Sequence, residues 1–79
     1  MNQLIRLPAV ISATGLARPT VYLRIKNGLF VRPVKLSERA VAWPADEVAA
    51  INAARIAGKT DAEIRELVAT LEQQRTAKA

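Results

Sequence analysis

The side chains in this sequence that could act on another molecule are mainly cations, with a few hydroxyl and amide groups among them, and they concentrate between residues 18 and 39. Guanidinium and ammonium groups neutralise phosphates, whereas hydroxyl, amide and methyl groups contact the edges of bases. The chemistry that this set favours is therefore recognition of nucleic acid. The residues that we expect to take part are Arg18, Pro19, Thr20, Tyr22, Leu23, Arg24, Lys26, Asn27, Arg32, Lys35, Ser37 and Arg39.

Catalytic chemistry has little support in the composition. The chain has no histidine and no cysteine, and neither its two serines, Ser12 and Ser37, nor its one tyrosine, Tyr22, has a recognisable base beside it. The usual zinc sites are excluded for the same reason. Asp46-Glu47 is better explained as the acidic start of a helix than as a metal pair. We therefore expect a protein that is not an enzyme and that uses no cofactor, metal or small-molecule ligand.

The positive charge lies in one half of the chain. The net charge at pH 7 is +5, but residues 1–43 carry seven basic residues and one acidic residue, a net charge of +6, whereas residues 44–79 carry a net charge of −1. A concentrated excess of this kind is typical of a surface that contacts phosphates. Charge alone also fits a basic domain without a nucleic-acid partner, so the elements that position the cations matter.

Two short helices and a tight turn are predicted to position these residues. The first helix begins at Leu7-Pro8, because proline suits the first helical turn, and it ends at Gly15, which can adopt a left-handed conformation. The second helix is expected over residues 19–27, with Arg18 as its flanking residue, because Pro19 disfavours the α conformation in the residue before it. This arrangement is a helix-turn-helix.

The second helix has an inward and an outward face. At about 100° per residue, Val21 and Ile25 lie on the inward side and Leu23 lies on the outward side. The alternative is that Leu23 belongs to the core and that the helical phase is shifted by one residue. An exposed Leu23 would contact either a thymine methyl group or a protein surface. The outward set is Pro19, Thr20, Leu23, Lys26 and Asn27.

A short β-hairpin is predicted to follow the second helix. Residues 34–36 and 40–43 have the composition of two short strands around the polar turn Ser37-Glu38-Arg39. Because an isolated hairpin is marginally stable, this one is expected to pack on the helices as a wing, with Trp43 as its anchor. We expect wing residues 32–43 to reach the DNA backbone or the minor groove through three cations, with a solvated hairpin as the alternative. The three cations are Arg32, Lys35 and Arg39.

Two more helices are expected in the C-terminal part of the chain. The third helix follows Pro44, spans residues 45–57 and ends at Gly58. Gly58-Lys59-Thr60 is similar to the end of a phosphate-binding loop, but alanine occupies the position of the earlier glycine, and the preceding stretch is helical. Thr60 and Glu63 are instead predicted to form a capping box that starts the fourth helix.

The fourth helix carries an apolar stripe of Ile64, Leu67, Val68 and Leu71. This stripe either covers the core or pairs with a second subunit, although it is too short for a self-sufficient coiled coil. The chain is expected to fray from Gln73. Three charged residues of this helix are expected to be solvated, namely Arg65, Glu66 and Glu72.

Together these elements predict a mainly α protein with a short two-stranded β-hairpin, a winged helix-turn-helix with the order α-α-β-β-α-α. We expect a single domain over residues 1–79, because a chain of 79 residues has room for one core. Its parts are a lead-in over 1–6, the helix-turn-helix and wing over 7–43, two C-terminal helices over 44–72 and a frayed tail over 73–79. We find no secretory signal and no membrane-spanning stretch, so a cytoplasmic, nucleoid-associated protein is expected.

The segment from Arg6 to Trp43, and more loosely the chain to about Leu71, resembles the AlpA family of small phage and prophage regulators, relatives of MerR-type winged helices and of recombination excisionases. The resemblance implies a DNA-binding transcriptional regulator encoded by a mobile element, often tied to the control of an integrase or to excision. Such proteins commonly have serine where Ala17 stands. The matching residues are Leu7-Pro8, Thr14-Gly15-Leu16, Thr20-Val21-Tyr22, Ile25-Lys26, Gly28, Phe30, Pro33-Val34-Lys35-Leu36 and Arg39-Ala40-Val41-Ala42-Trp43.

The function that we expect is therefore sequence-specific DNA binding by a transcriptional regulator of a phage or mobile element. Helix 19–27 would read the major groove, and wing 32–43 would contact the backbone or the minor groove. One alternative is a recombination directionality factor that bends attachment-site DNA and recruits an integrase. Another is a protein-interaction module with an incidental basic face. The expected partners are double-stranded DNA, a second copy of the chain as a homodimer or cooperative oligomer, and an integrase, with no membrane partner.

Overall fold

Four helices and three short strands make up the part of the chain that the computed structural model describes, residues 3–77. The result is mainly helical and has the architecture of a winged helix-turn-helix, as the sequence predicts. No helix within residues 3–77 combines the length and the apolar character needed to cross a membrane. The elements in chain order are β1 (Leu4–Ile5), α1 (Leu7–Thr14), α2 (Arg18–Lys26), β2 (Val34–Lys35), β3 (Val41–Pro44), α3 (Ala45–Ile56) and α4 (Asp61–Ala77).

The predicted turn between α1 and α2 is confirmed. Gly15 has φ of +72°, and its N–H donates to the carbonyl of Ile11 at 2.9 Å, which ends α1. The expected start of α2 is wrong by one residue, because Ala17 is the N-cap and Arg18 is already helical. Proline is accepted anywhere in the first turn, where its missing N–H would have no helical partner. Arg18 therefore belongs to the helix that it was expected to flank.

Helix α2 ends in a hydrogen-bonded turn that directs the chain toward the wing. Asn27 is the C-cap, and the N–H groups of Gly28 and Leu29 donate to the carbonyls of Ile25 and Arg24 at 3.2 and 2.8 Å. Gly28 has φ of +76°, which a side chain would disfavour. This pair of bonds is the Schellman arrangement that glycine favours after a helix.

The wing belongs to a sheet of three strands, whereas the sequence predicted two. The strand order is β1-β3-β2, and both pairings are antiparallel. Leu4 pairs with Pro44 and Ile5 with Trp43, so part of the expected lead-in is a strand; residues 1 and 2 of the lead-in lie outside the described residues. A two-residue strand is too short to show an alternating pattern in the sequence. Its partner also lies about forty residues away, so no local turn signal marks the pairing.

The core lies where the helices meet the central strand, and Trp43 is its largest residue. The Trp43 side chain is fully buried, and its Nε1–H donates to the carbonyl of Val31 at 3.1 Å. Its ring meets that of Tyr22 edge to face, with 6.4 Å between the ring centres. The prediction that Trp43 anchors the wing to the helices is confirmed. The other buried apolar residues are Val10, Val21, Phe30, Val31, Ala42, Val48, Ile51, Ile64 and Val68.

The capping box at the start of α4 is confirmed. The N–H of Thr60 donates to a Glu63 carboxylate oxygen at 2.9 Å, and the N–H of Glu63 donates to the Thr60 hydroxyl at 3.2 Å. These hydrogen bonds with Thr60 hold the pKa of Glu63 below its ordinary value. The apolar stripe of α4 covers the core, with Ile64 and Val68 buried and Leu67 and Leu71 packed against them.

The C-terminal end of α4 is helical and anchored, so the expected fraying at residues 73–77 is wrong. The Arg75 guanidinium donates from Nε to both carboxylate oxygens of Glu47, at 3.1 and 3.0 Å, and from Nη2 to the carbonyl of Arg32 at 2.8 Å. These contacts join α4 to α3 and to the segment before the wing. Residues 78 and 79 of the expected tail lie outside the described residues.

Two charged residues of α4 that were expected to be solvated also make hydrogen bonds to other elements. Glu72 accepts hydrogen bonds from the backbone and the side chain of Arg32 at 2.8 and 3.2 Å. Arg65 donates from Nε to the carbonyl of Asn27 at 3.0 Å, at the end of α2. Of the three residues expected to be solvated, Glu66 is exposed and makes no such contact with the described part of the chain. Long-range hydrogen bonds of this kind have no signature in the local sequence.

Candidate nucleic-acid interface

The outward face of α2 is exposed, and its helical phase is the one that the sequence predicts. Val21 is fully buried, while Leu23 is 56% exposed. The alternative in which Leu23 belongs to the core is therefore wrong. Thr20, Leu23 and Asn27 line one side of a shallow groove, and we call these three residues the reading face.

The opposite wall of this groove comes from the turn between α3 and α4. Arg55 and Asp61 form it, with 3.2 Å between the Arg55 Nη1 and the Asp61 carboxylate. Arg24 also lines this groove, together with Leu29, and is half-buried. The guanidinium of Arg24 therefore lies next to the reading face, where sequence analysis placed a flanking cation.

A second groove lies between the beginning of α1, α2 and the wing. Three arginines line it, Arg6 from the N-cap of α1, Arg18 from the first turn of α2 and Arg39 from the turn of the wing. Tyr22 and Val41 lie in its wall, and no acidic residue among those described lines it. We call this groove, formed by Arg6, Arg18, Tyr22 and Arg39, the arginine groove.

The wing presents its cations on an exposed turn. Lys35, Ser37 and Arg39 are all exposed. The turn closes through the carbonyl of Ala40, which accepts from the N–H groups of Leu36 and Ser37 at 2.8 and 3.2 Å. Arg39 of this turn lies on the same side of the molecule as α2, because it lines one groove together with Arg18 and Tyr22.

Arg32 does not join the other cations of the predicted site. It precedes β2, and its guanidinium lies 3.1 Å from the Glu72 carboxylate of α4. Its backbone carbonyl accepts the bond from Arg75 described above. The charge of Arg32 is therefore balanced within the protein, and the structure places this residue at the base of the wing.

Ion pairing divides the cations into two groups. Each of Arg32, Arg55 and Arg75 has a carboxylate partner. Six cations of the first half have no carboxylate partner within residues 3–77. An exposed cation without a partner can neutralise a phosphate without first breaking an internal ion pair. The six are Arg6, Arg18, Arg24, Lys26, Lys35 and Arg39.

Sequence analysis missed Arg6 as a member of the site. It was treated as part of the lead-in, because nothing in the residues around it marks a contact with another molecule. Arg6 and Arg39 are 33 positions apart, and the fold of β1 and α1 against β3 brings them to the same groove. The one indication in the sequence that Arg6 could contact a phosphate is the charge count, in which Arg6 is the first of the seven basic residues of the basic half.

The fold and this cationic face define a small winged helix-turn-helix protein. The chain belongs to the AlpA family: residues 3–56 match the family described as prophage CP4-57 regulatory protein (AlpA). The resemblance seen in the sequence is therefore confirmed, and the protein is a member of a phage regulatory family.

A relative in Enterobacteria phage P4, described as uncharacterized protein ORF88, is 42% identical over 58 residues. The match spans 73% of this chain and 66% of the relative, just under two thirds of the length of that protein. No solved structure matches the chain. At 58 residues, the similarity extends beyond the basic half of the chain, which has 43 residues.

Proposed function

We propose that this protein is a transcriptional regulator of a phage or mobile element that binds double-stranded DNA in a sequence-specific way. The observation that carries the proposal is the reading face of Thr20, Leu23 and Asn27, on which Leu23 is 56% exposed. It lies beside Arg24 and Lys26, which have no carboxylate partner within residues 3–77. Helix α2 enters the major groove, and the wing contacts the backbone or the minor groove beside it.

The chemistry of the reading face suits base edges. The Asn27 amide can donate to and accept from adenine, and the Thr20 hydroxyl can bond to several bases. Leu23 offers methyl groups to the methyl group of thymine, which explains an exposed leucine in the middle of a polar surface. Arg24 and Lys26 lie on the same helix and supply charge for the flanking phosphates.

A protein-interaction module is less well supported by the same surface. Helix α2 carries three cations and no carboxylate, which suits a polyanion better than an apolar partner. Nothing observed in the structure favours the excision role over the regulatory role.

The proposal is tested by measuring binding to duplexes from the promoter and attachment regions of the mobile element that encodes the protein, with a scrambled duplex for comparison. Leu23→Ala and Asn27→Ala should each weaken binding to the cognate duplex by roughly 1–3 kcal/mol and change binding to the scrambled duplex little. Ile56→Ala is the matched control for Leu23→Ala, because Ile56 is an apolar residue of α3 that is 87% exposed. Absence of salt-dependent duplex binding by the wild-type protein would contradict the proposal.

We also propose that the protein binds DNA as a dimer or a cooperative oligomer. One reading face and one wing cover a short site, so repeated half-sites supply the remaining specificity. Binding isotherms on duplexes with one and two half-sites test this, and a steeper isotherm is expected on two. Equal, non-cooperative affinity per site on both duplexes would contradict it.

A further inference from the structure

The arginine groove lies between the two elements that the proposed function assigns to neighbouring grooves of DNA. Helix α2, which would enter the major groove, forms one side, and the wing, which would contact the minor groove, forms the other. A major groove and the adjacent minor groove are separated by a single sugar-phosphate strand. When α2 and the wing occupy neighbouring grooves, that strand has to pass between them.

The groove has the charge that such a strand requires. Arg6, Arg18 and Arg39 come from three different elements, and none of them has a carboxylate partner within residues 3–77. Three guanidinium groups along one groove give it a positive potential, which favours a run of phosphates.

The N-terminal ends of α1 and α2 also favour an anion in this groove. Helices α1 and α2, which begin at this groove, have no acidic residue in the first turn and no side-chain cap at their N-cap positions, Arg6 and Ala17. Helices α3 and α4 both have acidic residues there. The partial positive charge at the start of α1 and α2 is therefore left for an external anion.

Tyr22 gives the groove a rigid wall. Its side chain is 40% exposed, while its ring packs edge to face on the buried Trp43. The ring is thus held in place, and its hydroxyl can donate to a phosphate oxygen without a large loss of side-chain entropy.

We propose that the arginine groove binds the one DNA strand that separates the major groove read by α2 from the minor groove at the wing, and that Arg6 contacts a phosphate of this strand directly. The inference rests on the proposed function and adds to it the path of the backbone and a contact residue at the start of α1. The ligand is a run of backbone phosphates, so the contact is independent of base sequence.

The test compares wild-type protein with Arg6→Gln, using a mixed-sequence duplex two helical turns long. Loss of one phosphate contact should reduce the slope of log affinity against log salt by about 0.9. Arg6→Lys should retain the slope, because it keeps the charge. Arg32→Gln is the matched control, because the charge of Arg32 is balanced by Glu72 and Arg32 does not line the groove, and its slope should equal that of the wild type.

A second measurement first maps the phosphate contacts of the unmodified protein and then repeats the map with Arg6→Gln. Neutral methylphosphonates are placed one at a time along each strand of the duplex from the promoter or attachment regions that binds most tightly. A run of neighbouring positions on one strand should weaken wild-type binding, and at one of these positions the effect should disappear in Arg6→Gln, because the contact is already lost.

The outcomes separate the two proposals. Wild-type binding without salt dependence contradicts both DNA binding and the role of the groove. Salt-dependent wild-type binding with an unchanged slope in Arg6→Gln overturns the role of the groove and leaves the proposed function standing. The same holds if no single methylphosphonate position loses its effect in Arg6→Gln.

Discussion

Arg39 and Arg32 lie at opposite ends of the wing and differ in what surrounds them. Arg39 lines the arginine groove beside Arg6 and Arg18, and no described carboxylate pairs with it. Arg32 lies at the base of the wing and bonds to Glu72 of α4 through both its backbone and its side chain. Two arginines of the wing thus differ in role. Arg39 is available to an external anion, whereas Arg32 joins the base of the wing to α4.

The contrast extends to the whole molecule. On the side of α1, α2 and the wing turn, six cations have no carboxylate partner within residues 3–77. On the side of α3 and α4, Arg55 and Arg75 form ion pairs that join neighbouring elements. A count of charges along the chain identifies the basic half, but the pairing of those charges identifies the candidate surface.

The largest effect on stability is expected from breaking the ion pair between Arg75 and Glu47, which joins α4 to α3. Arg75→Met leaves the buried Glu47 carboxylate without its ion-pair partner and should lower the free energy of unfolding by about 2 kcal/mol. Urea denaturation measures the change. The double variant Glu47→Leu/Arg75→Met removes both charges and should recover most of the loss. If Arg75→Met is as stable as the wild type, this pair does not anchor α4.

The difference between the two wing arginines can be measured through the salt dependence of DNA binding. Arg39→Gln should reduce the slope of log affinity against log salt by about one unit, because a phosphate contact is lost. Arg32→Gln should leave the slope unchanged, because its charge is already balanced by Glu72. Titrations of a mixed-sequence duplex at several salt concentrations measure both slopes. Equal reductions would show that pairing with Glu72 does not keep Arg32 from DNA.

The smallest effect is expected at the capping box of α4. The pKa of Glu63 is lowered by hydrogen bonds with Thr60, so the charged carboxylate stabilises the fold. This contribution is complete above the unfolded pKa, near 4.5, and is lost as the pH falls through the lower folded pKa. Glu63→Gln should therefore lower the melting temperature slightly at pH 7. Below the folded pKa the two curves should meet; a constant difference at all pH values would exclude this explanation.

Much of the candidate site follows from local patterns. The apolar positions of α2 place Val21 inside and Leu23 outside, and the structure confirms both. The grouping of Arg6 with Arg18 and Arg39 does not follow from any local pattern, because it depends on how α1 packs beside the wing. The separation of Arg32 from the site depends in the same way on Glu72, forty residues away.

The sequence by itself determined, to within one residue, where α1, α2 and α3 begin and end and where α4 begins. It also determined which face of α2 is exposed and where the wing turns. Proline, glycine and the spacing of apolar residues act through backbone conformation within a few residues, so their effect can be read along the chain. Only the tertiary structure decided that residues 4–5 form a strand, that residues 73–77 continue α4 and which cations are left without partners. These outcomes depend on contacts between distant residues, whose partners are chosen when the core around Trp43 packs.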